Sequence, residues 1–325
     1  MPPTDALNIP SYGMLLLEHQ AKIKTNAVSF VILQNERPAG GLYIDQSCNG
    51  LFLCHRPSDC NNETRYIYNP STRHYRMIPQ PPPFLEETNC SSFDWQFYLA
   101  FSPSKSLYYE IVFLWKNCRV NPHEHQMAVY SSNTGLWRLC GYVMLDFKVR
   151  TCRCVFWNGY LNWIGRGRTL YYFNIAKQVL KTSLLSDETQ KHWGVQDYFG
   201  ECTGHMYLML REKVWPSNST CIFEMEIDYS GWKPICQVEL GGFANKNGMV
   251  TLSAYFRILK VVVEGDGDED ELKVLILLPG KDKPGEDKIV CYDLKTNSFE
   301  EICNCRMDQF DQYLQPAYIG SISNV

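Results

Sequence analysis

The chain has 325 residues, enough for two ordinary domains or one large all-β domain. Its 45% hydrophobic, 20% charged and 14% aromatic residues exclude a disordered chain, which lacks the apolar surface to offset ordering entropy. A formal net charge of -4 excludes strong attraction to nucleic-acid phosphate, and no apolar run approaches the ~18 residues of a membrane helix.

The aromatic content, 20 Tyr, 16 Phe and 8 Trp, favours strands. Residues 1–12 read as a disordered tail. Strand-like runs follow at Gly13–Leu17, Val28–Leu33 and Cys48–Cys54. A hairpin pattern spans Tyr66–Pro79, with turn residues Asn69, Pro70 and Ser71. Next come Tyr98–Ser102 with Tyr108–Leu114, then a second hairpin, Met127–Leu139. Cys154–Trp163 leads into a third hairpin, Leu170–Leu180. Gly204–Leu210 leads into a fourth, Ile222–Pro234. Ile258–Val263 with Leu272–Leu278 leads into a fifth, Lys288–Ile302. Met307–Tyr313 reads as a single turn of helix, and Ala317–Ile322 as a last strand.

These hairpins are copies of one phrase. An apolar strand with period-2 alternation meets a polar turn, and a large apolar residue opens the return strand. With the strands before each hairpin, the phrase makes a unit of four strands and about 45 to 65 residues, the size of a kelch-type propeller blade. The predicted fold is therefore all-β: one closed, kelch-like β-propeller over residues 13–325. Six blades are expected, with five or seven as alternatives, and strands from both termini completing one blade. Gln80–Pro83 reads as a stiff connector, and Gly265–Glu271 and Gly280–Asp287 as charged loops inside one blade.

The fourteen cysteines include no C-x-x-C pair. Met1–Asp5 opens no secretory signal pattern, so the thiols are expected reduced and mostly buried, in a cytosolic or nuclear protein. The close pairs Cys152/Cys154 and Cys303/Cys305 lack a second pair at zinc-site spacing. The sequons at Asn62, Asn89 and Asn218 then read as chance matches.

Cys48-Asn-Gly-Leu-Phe-Leu-Cys54, followed by Tyr66-Ile-Tyr-Asn-Pro-Ser-Thr-Arg-His-Tyr75 and Ile78-Pro79, resembles the opening signature of the plant F-box-associated β-propeller family. Later phrases agree in order: Leu99-Ala-Phe-Ser-Pro-Ser104, Tyr109-Glu-Ile-Val112, Val129-Tyr-Ser-Ser-Asn-Thr-Gly-Leu-Trp137 and Phe156-Trp-Asn-Gly-Tyr-Leu-Asn-Trp163. Their residues read as scaffold, with Trp137 and Trp163 filling the wedge between neighbouring blades. The resemblance implies a non-catalytic module that selects an unknown target protein for a Skp1–cullin–F-box ubiquitin ligase. Family members usually carry an F-box before the propeller, which docks onto Skp1. Residues 1–47 lack that pattern and read as propeller strands, so Skp1 and cullin are expected as partners only where an F-box is supplied upstream.

Rival chemistry finds little support. Ser131-Ser-Asn-Thr-Gly-Leu-Trp137 approximates a sialidase Asp-box, itself a structural turn. A propeller glycosidase is the alternative function, and it needs two positioned carboxylates, for which Asp94, Glu110 and Glu201 are candidates. Asp266–Glu271 fails the calcium-loop spacing, with Glu271 and Leu277 where Gly and Glu are required. His123 and His125 read as an exposed loop rather than a metal pair. Gly165-Arg-Gly-Arg168 lacks the third glycine of a dinucleotide loop, and reads as a basic tip. Gly280-Lys281 is followed by Asp282, so it is no phosphate loop. No catalytic, cofactor-binding or metal residues are assigned, and no cofactor, nucleic acid or membrane is expected.

Overall fold

Turn chemistry sets the strand boundaries. Asn49 and Gly50 lie at φ 46° and 89°, and Asn158 and Gly159 at 50° and 82°. Two successive left-handed residues make the turn whose twist matches paired strands, and Asn-Gly adopts it at least cost. Each turn therefore reverses an apolar run onto itself. The computed structural model describes residues 15–17, 30–32, 43–56, 64–69, 72, 74–81, 95–116, 123–147, 149, 152–165, 169–185, 194–211, 219–239, 256–264, 271–278, 287–305 and 320–321. The expected tail at 1–12 and the helical turn at 307–313 lie outside them, and no α-helix occurs among them.

The chain divides into two compact units. The first comprises Met1–Gln80 and Phe310–Val325. It contains the four-stranded meander β3 (Tyr43–Cys48), β4 (Leu51–Arg56), β5 (Thr64–Asn69) and β6 (His74–Met77). It also contains a three-stranded sheet of β1 (Leu15–Leu17), β2 (Phe30–Ile32) and β23 (Gly320–Ser321), with β2 at its centre. Leu53 and Phe52 of β4 and Ile67 of β5 are buried, while β6 is exposed along its length.

The second unit, Pro81–Gln309, holds four more meanders. They are β7 (Trp95–Ala100), β8 (Glu110–Lys116), β9 (Glu124–Ser131) and β10 (Leu136–Met144); then β11 (Cys154–Trp157), β12 (Tyr160–Ile164), β13 (Thr169–Asn174) and β14 (Val179–Leu184). The third is β15 (Val195–Cys202), β16 (His205–Arg211), β17 (Ser219–Met225) and β18 (Trp232–Glu239). The last is β19 (Arg257–Glu264), β20 (Glu271–Leu278), β21 (Asp287–Asp293) and β22 (Ser298–Cys305). The first strands stand side by side, β7 next to β11, β11 next to β15 and β15 next to β19. That is the arrangement of propeller blades, each presenting its first strand to the axis.

The protein is thus an all-β propeller of five four-stranded blades, and the expectation of six is corrected. Each blade takes all four strands from one continuous stretch of chain, so none needs completing from the termini. The terminal strands pair with each other instead, Phe30 with Ser321 and Val31 with Gly320. Among the described residues no hydrogen-bonded ladder links one blade to another, so closure by a shared blade is not found.

In the second unit the core fills the wedges between blades. Tyr98, Val112, Leu114, Met127 and Val129 of one blade meet Leu161, Trp163, Tyr171 and Phe173 of the next. Trp163 is fully buried, its ring 5.4 Å from that of Tyr98, as expected of a wedge residue. Trp137 lies half-buried on the opposite face of its own blade, 5.4 Å from Tyr130 and 6.1 Å from Phe97. Similar wedges join Trp157, Leu170 and Leu185 to Phe199, Leu208 and Phe223, and Met209 and Ile222 to Val261, Val274 and Val290.

One wedge carries a polar latch. The turn at 226–231 places Tyr229, at φ 64°, over the preceding blade, where its ring stacks 4.4 Å from Tyr172 at 12°. Its hydroxyl donates to Asn162 Oδ1 at 3.0 Å. Asn162 is fully buried, and its Nδ2 donates to the carbonyls of Val155 and Tyr160. Trp157 Nε1 donates to Gly204 O at 2.6 Å, and Asn158 Nδ2 to Ile227 O at 3.1 Å, across the same junction.

Candidate recognition surface

A meander has two unlike edges. In the second unit, turns between first and second strands and between third and fourth strands share one edge: 101–109, 132–135, 158–159, 175–178, 203–204, 226–231, 265–270 and 294–297. Most are short and closed by their own polar side chains. Asn174 Oδ1 accepts from Lys177 N, Glu201 Oε1 from Gly204 N, and Asp228 Oδ1 from Ser230 N. Asp293 Oδ1 accepts from the amides of Lys295 and Thr296, bonds that pull its carboxyl below the usual range against the opposing effect of burial. The stretch Ser131–Trp137 is one of these closed turns: Gly135 N donates to Ser131 O, and Tyr109 N to Ser132 Oγ. The other edge carries connections 117–123, 145–153, 165–168, 185–194, 212–218, 240–256 and 279–286, several of them long.

At that second edge, the starts of β11 and β15 and the end of β16 bring charge together. Arg153 precedes β11, Asp197 sits near the start of β15, Arg211 ends β16, and Phe256 precedes β19. Arg211 donates from Nε to Asp197 Oδ2 and from Nη2 to Oδ1, both at 2.9 Å, the bidentate fork that suits a carboxylate. Its guanidinium lies 4.1 Å over the Phe256 ring. Arg153 Nη1 donates to the Asp197 carbonyl at 3.3 Å. Burial pushes the Asp197 carboxyl above its ordinary range, and the pull of Arg211 and Arg153 only partly offsets it. Sequence reading missed this cluster, because its members are scattered through the chain and only the bulge at Gln196/Tyr198 on β15 turns Asp197 toward Arg211.

The residues singled out from the sequence scatter. Glu110 lies on β8 and Glu201 on β15, in different blades, while Asp94 lies outside the described residues. Burial pushes the Glu110 carboxyl up, against the opposing charge of Arg138. His123 is exposed, but His125 is buried within β9 with Nδ1 3.0 Å from His123 O, so the pair is not one exposed loop. Cys154 is buried in the core, and Cys152 is half-buried with Sγ 3.4 Å from Ile164 O. Burial pushes the Cys152 thiol up to about 12, opposed by that hydrogen bond and reinforced by Asp146. The side chains of Cys303 and Cys305, the basic tip at 166–168, and 265–270 and 280–286 lie outside the described residues. Glu264 and Glu271 pair across β19 and β20, so 265–270 does join two strands of one blade. No group of three or more His, Cys, Asp or Glu that could hold a metal occurs among the described residues, and no helix among them is long and apolar enough to cross a membrane.

A family model described as the F-box associated beta propeller domain matches residues 12–193, more than half of the chain. An F-box protein of Arabidopsis thaliana is 27% identical over 316 residues, covering 87% of this chain and 71% of that protein. The expected kelch-like character has no support beside these matches. Among solved structures, TolB from Acinetobacter baumannii has a TM-score of 0.43 at 10% identity, covering 82% of this chain and 55% of that one. A fucose-binding lectin of Aleuria aurantia has a TM-score of 0.40 at 7% identity, covering 83% of this chain and 79% of that one. Likeness at that level carries nothing about binding to this chain.

Proposed function

We propose, from the premise that the chain belongs to the family of F-box associated beta propeller domains, that it selects target proteins for a Skp1–cullin–F-box ubiquitin ligase. The observation that carries this reading is the family match over residues 12–193, and the similarity to an Arabidopsis F-box protein supports it. The role is binding in position, with ubiquitin transfer done by other subunits in cytosol or nucleus. The contact face is the blade edge that bears the long connections and the Arg153–Asp197–Arg211 cluster. Rigid strands hold those charges, while the opposite edge is occupied in closing its own turns.

The test uses the chain expressed in plant cells. Proteins that it captures are ranked by binding, and their half-lives are measured with and without the chain, with and without proteasome inhibition. The expected result is at least one directly bound protein whose half-life lengthens when the chain is absent or the proteasome blocked. Bound proteins whose half-lives never change would overturn the reading.

A further inference from the structure

Every blade ends in an edge strand whose outer backbone groups are an invitation to another chain. In the second unit the edges are blunted unequally. The outer strand β18 carries Pro234 and Lys233, and β22 carries Glu300 and Glu301. β14 carries Lys181, Thr182 and Ser183. β10 is the longest of these edges, nine residues, and its only charged side chain is Arg138. The Gln178 amide oxygen, turned toward Arg138, accepts from that guanidinium and so ties it to the next blade. Along β10, Leu136, Leu139, Tyr142 and Met144 are 68%, 50%, 61% and 53% exposed. The register places Leu139, Tyr142 and Met144 on one face of the sheet, opposite Ala128, Gln126 and Glu124. Leu145 N donates to His123 O, so by alternation the amide of Val143 also points to β9, while those of Tyr142 and Met144 point away. Among the described residues nothing pairs with that side of β10.

Along the two outer strands themselves the charge has one sign. Arg138, Lys177 and Lys181 lie on β10, β14 and the turn before β14, and stretches 132–144 and 174–184 contain no Asp or Glu. Flanking acids include Asp146, two residues beyond β10, Glu124, opposite Met144 on β9, and Glu110 on β8, which feels the charge of Arg138. The outer strands of the next two blades instead carry Glu239, Glu300 and Glu301.

We propose that β10 is a docking edge for an extended segment of a partner protein that alternates acidic and apolar residues. Such a segment adds a fifth strand to its blade. Backbone bonds to the outward amides of β10 supply affinity, apolar side chains cover Leu139, Tyr142 and Met144, and carboxylates answer Arg138 and Lys181. This surface is distinct from the edge that bears the Asp197 cluster, and it does not depend on a ubiquitin-ligase role.

The probe is a fluorescein-labelled nine-residue peptide alternating Glu and Val, titrated with the full chain and read by anisotropy. The control peptide has Lys in place of Glu. The Glu peptide is expected to bind at least ~10-fold more tightly than the Lys peptide, with binding weakened as salt rises. Tyr142→Pro removes an outward amide without breaking a ladder bond to β9, and should weaken binding ~10-fold or more. The double variant Arg138→Glu/Lys181→Glu keeps the backbone edge and should weaken the Glu peptide while strengthening the Lys peptide. An unchanged thermal melt of the double variant guards against misfolding as the cause. Equal binding of both peptides, no binding at all, or indifference to both variants would overturn the proposal. So would a concentration-dependent dimer of the chain that Tyr142→Pro abolishes, since the occupant would then be a second copy.

Discussion

Removing one oxygen from the latch between the third and fourth blades should loosen that wedge. Tyr229→Phe keeps the ring that stacks on Tyr172 and deletes the hydroxyl that donates to Asn162 Oδ1 at 3.0 Å. Asn162 is 0% exposed, and its Nδ2 stays bound to two backbone carbonyls, so the amide cannot turn to find another donor for its oxygen. The loss is a net hydrogen bond plus a buried acceptor left unanswered, about 2 kcal/mol. For a unit the size of Pro81–Gln309 that corresponds to a fall in Tm of about 4 to 8 °C. Asn162→Leu also leaves the Tyr229 hydroxyl with only the Trp157 carbonyl, at 3.5 Å, whereas the double variant removes both partners of the shorter bond. Its cost should fall short of the sum of the singles by about 1 kcal/mol. Thermal denaturation gives the cycle, and hydrogen exchange across 226–231 should quicken in Tyr229→Phe before any other turn of that edge. A Tyr229→Phe cost below about 0.5 kcal/mol, or strict additivity in the cycle, would refute the claim that this bond locks the blades.

Three further outcomes follow from other sites. Arg211→Leu strips the bidentate partner from Asp197, whose side chain is 8% exposed, and should cost about 3 kcal/mol at neutral pH. The folded-state carboxyl is already raised by burial, so the fold binds more protons there than the unfolded chain; acidifying through that window should shrink the variant's deficit, as urea melts at two pH values would reveal. Cys152, with its thiol pushed up to about 12, should be alkylated at least ~10-fold more slowly than a free cysteine, measured by mass spectrometry on native protein; labelling at the free rate would contradict that shift. Gly165→Ala places a methyl against the Asp146 carboxylate and the Tyr171 ring, and should destabilise by about 1 to 3 kcal/mol in the same melts.

The repeat was legible because it rests on local chemistry. All five hairpins proposed from aromatic-flanked turns form, as β5–β6, β9–β10, β13–β14, β17–β18 and β21–β22. β3 and β15 were missed. β15 mixes Asp197, Gly200 and Glu201 into its apolar pattern and carries a bulge, so its alternation breaks, and Gly200 sits there because the Tyr198 ring lies where its side chain would be. The blade count failed for a related reason. Gly13–Leu17, Val28–Leu33 and Ala317–Ile322 were correctly strand-like, yet strand propensity says nothing of which partner a strand takes, and these took one another. The Asp197 cluster was illegible because long-range juxtaposition of charges leaves no spacing signal in the chain.

The two blade edges divide the work in a way that constrains how binding can vary. At the tight-turn edge, Asn158 and Tyr229 bond across blades, so a substitution there reaches the neighbouring sheet. Asn174, Asp228 and Asp293 are each committed to their own turn. Insertions in that edge would break bonds that hold the frame. The opposite edge joins strands through connections such as 212–218 and 240–256, whose lengths the ladders on either side do not fix. Their ends are fixed, however: the Arg211–Asp197 fork and the Arg153 bond tie the chain at the starts of neighbouring first strands. A changed connection would therefore leave the anchors beneath it in register, which is why this edge and not the other is the one proposed for recognition.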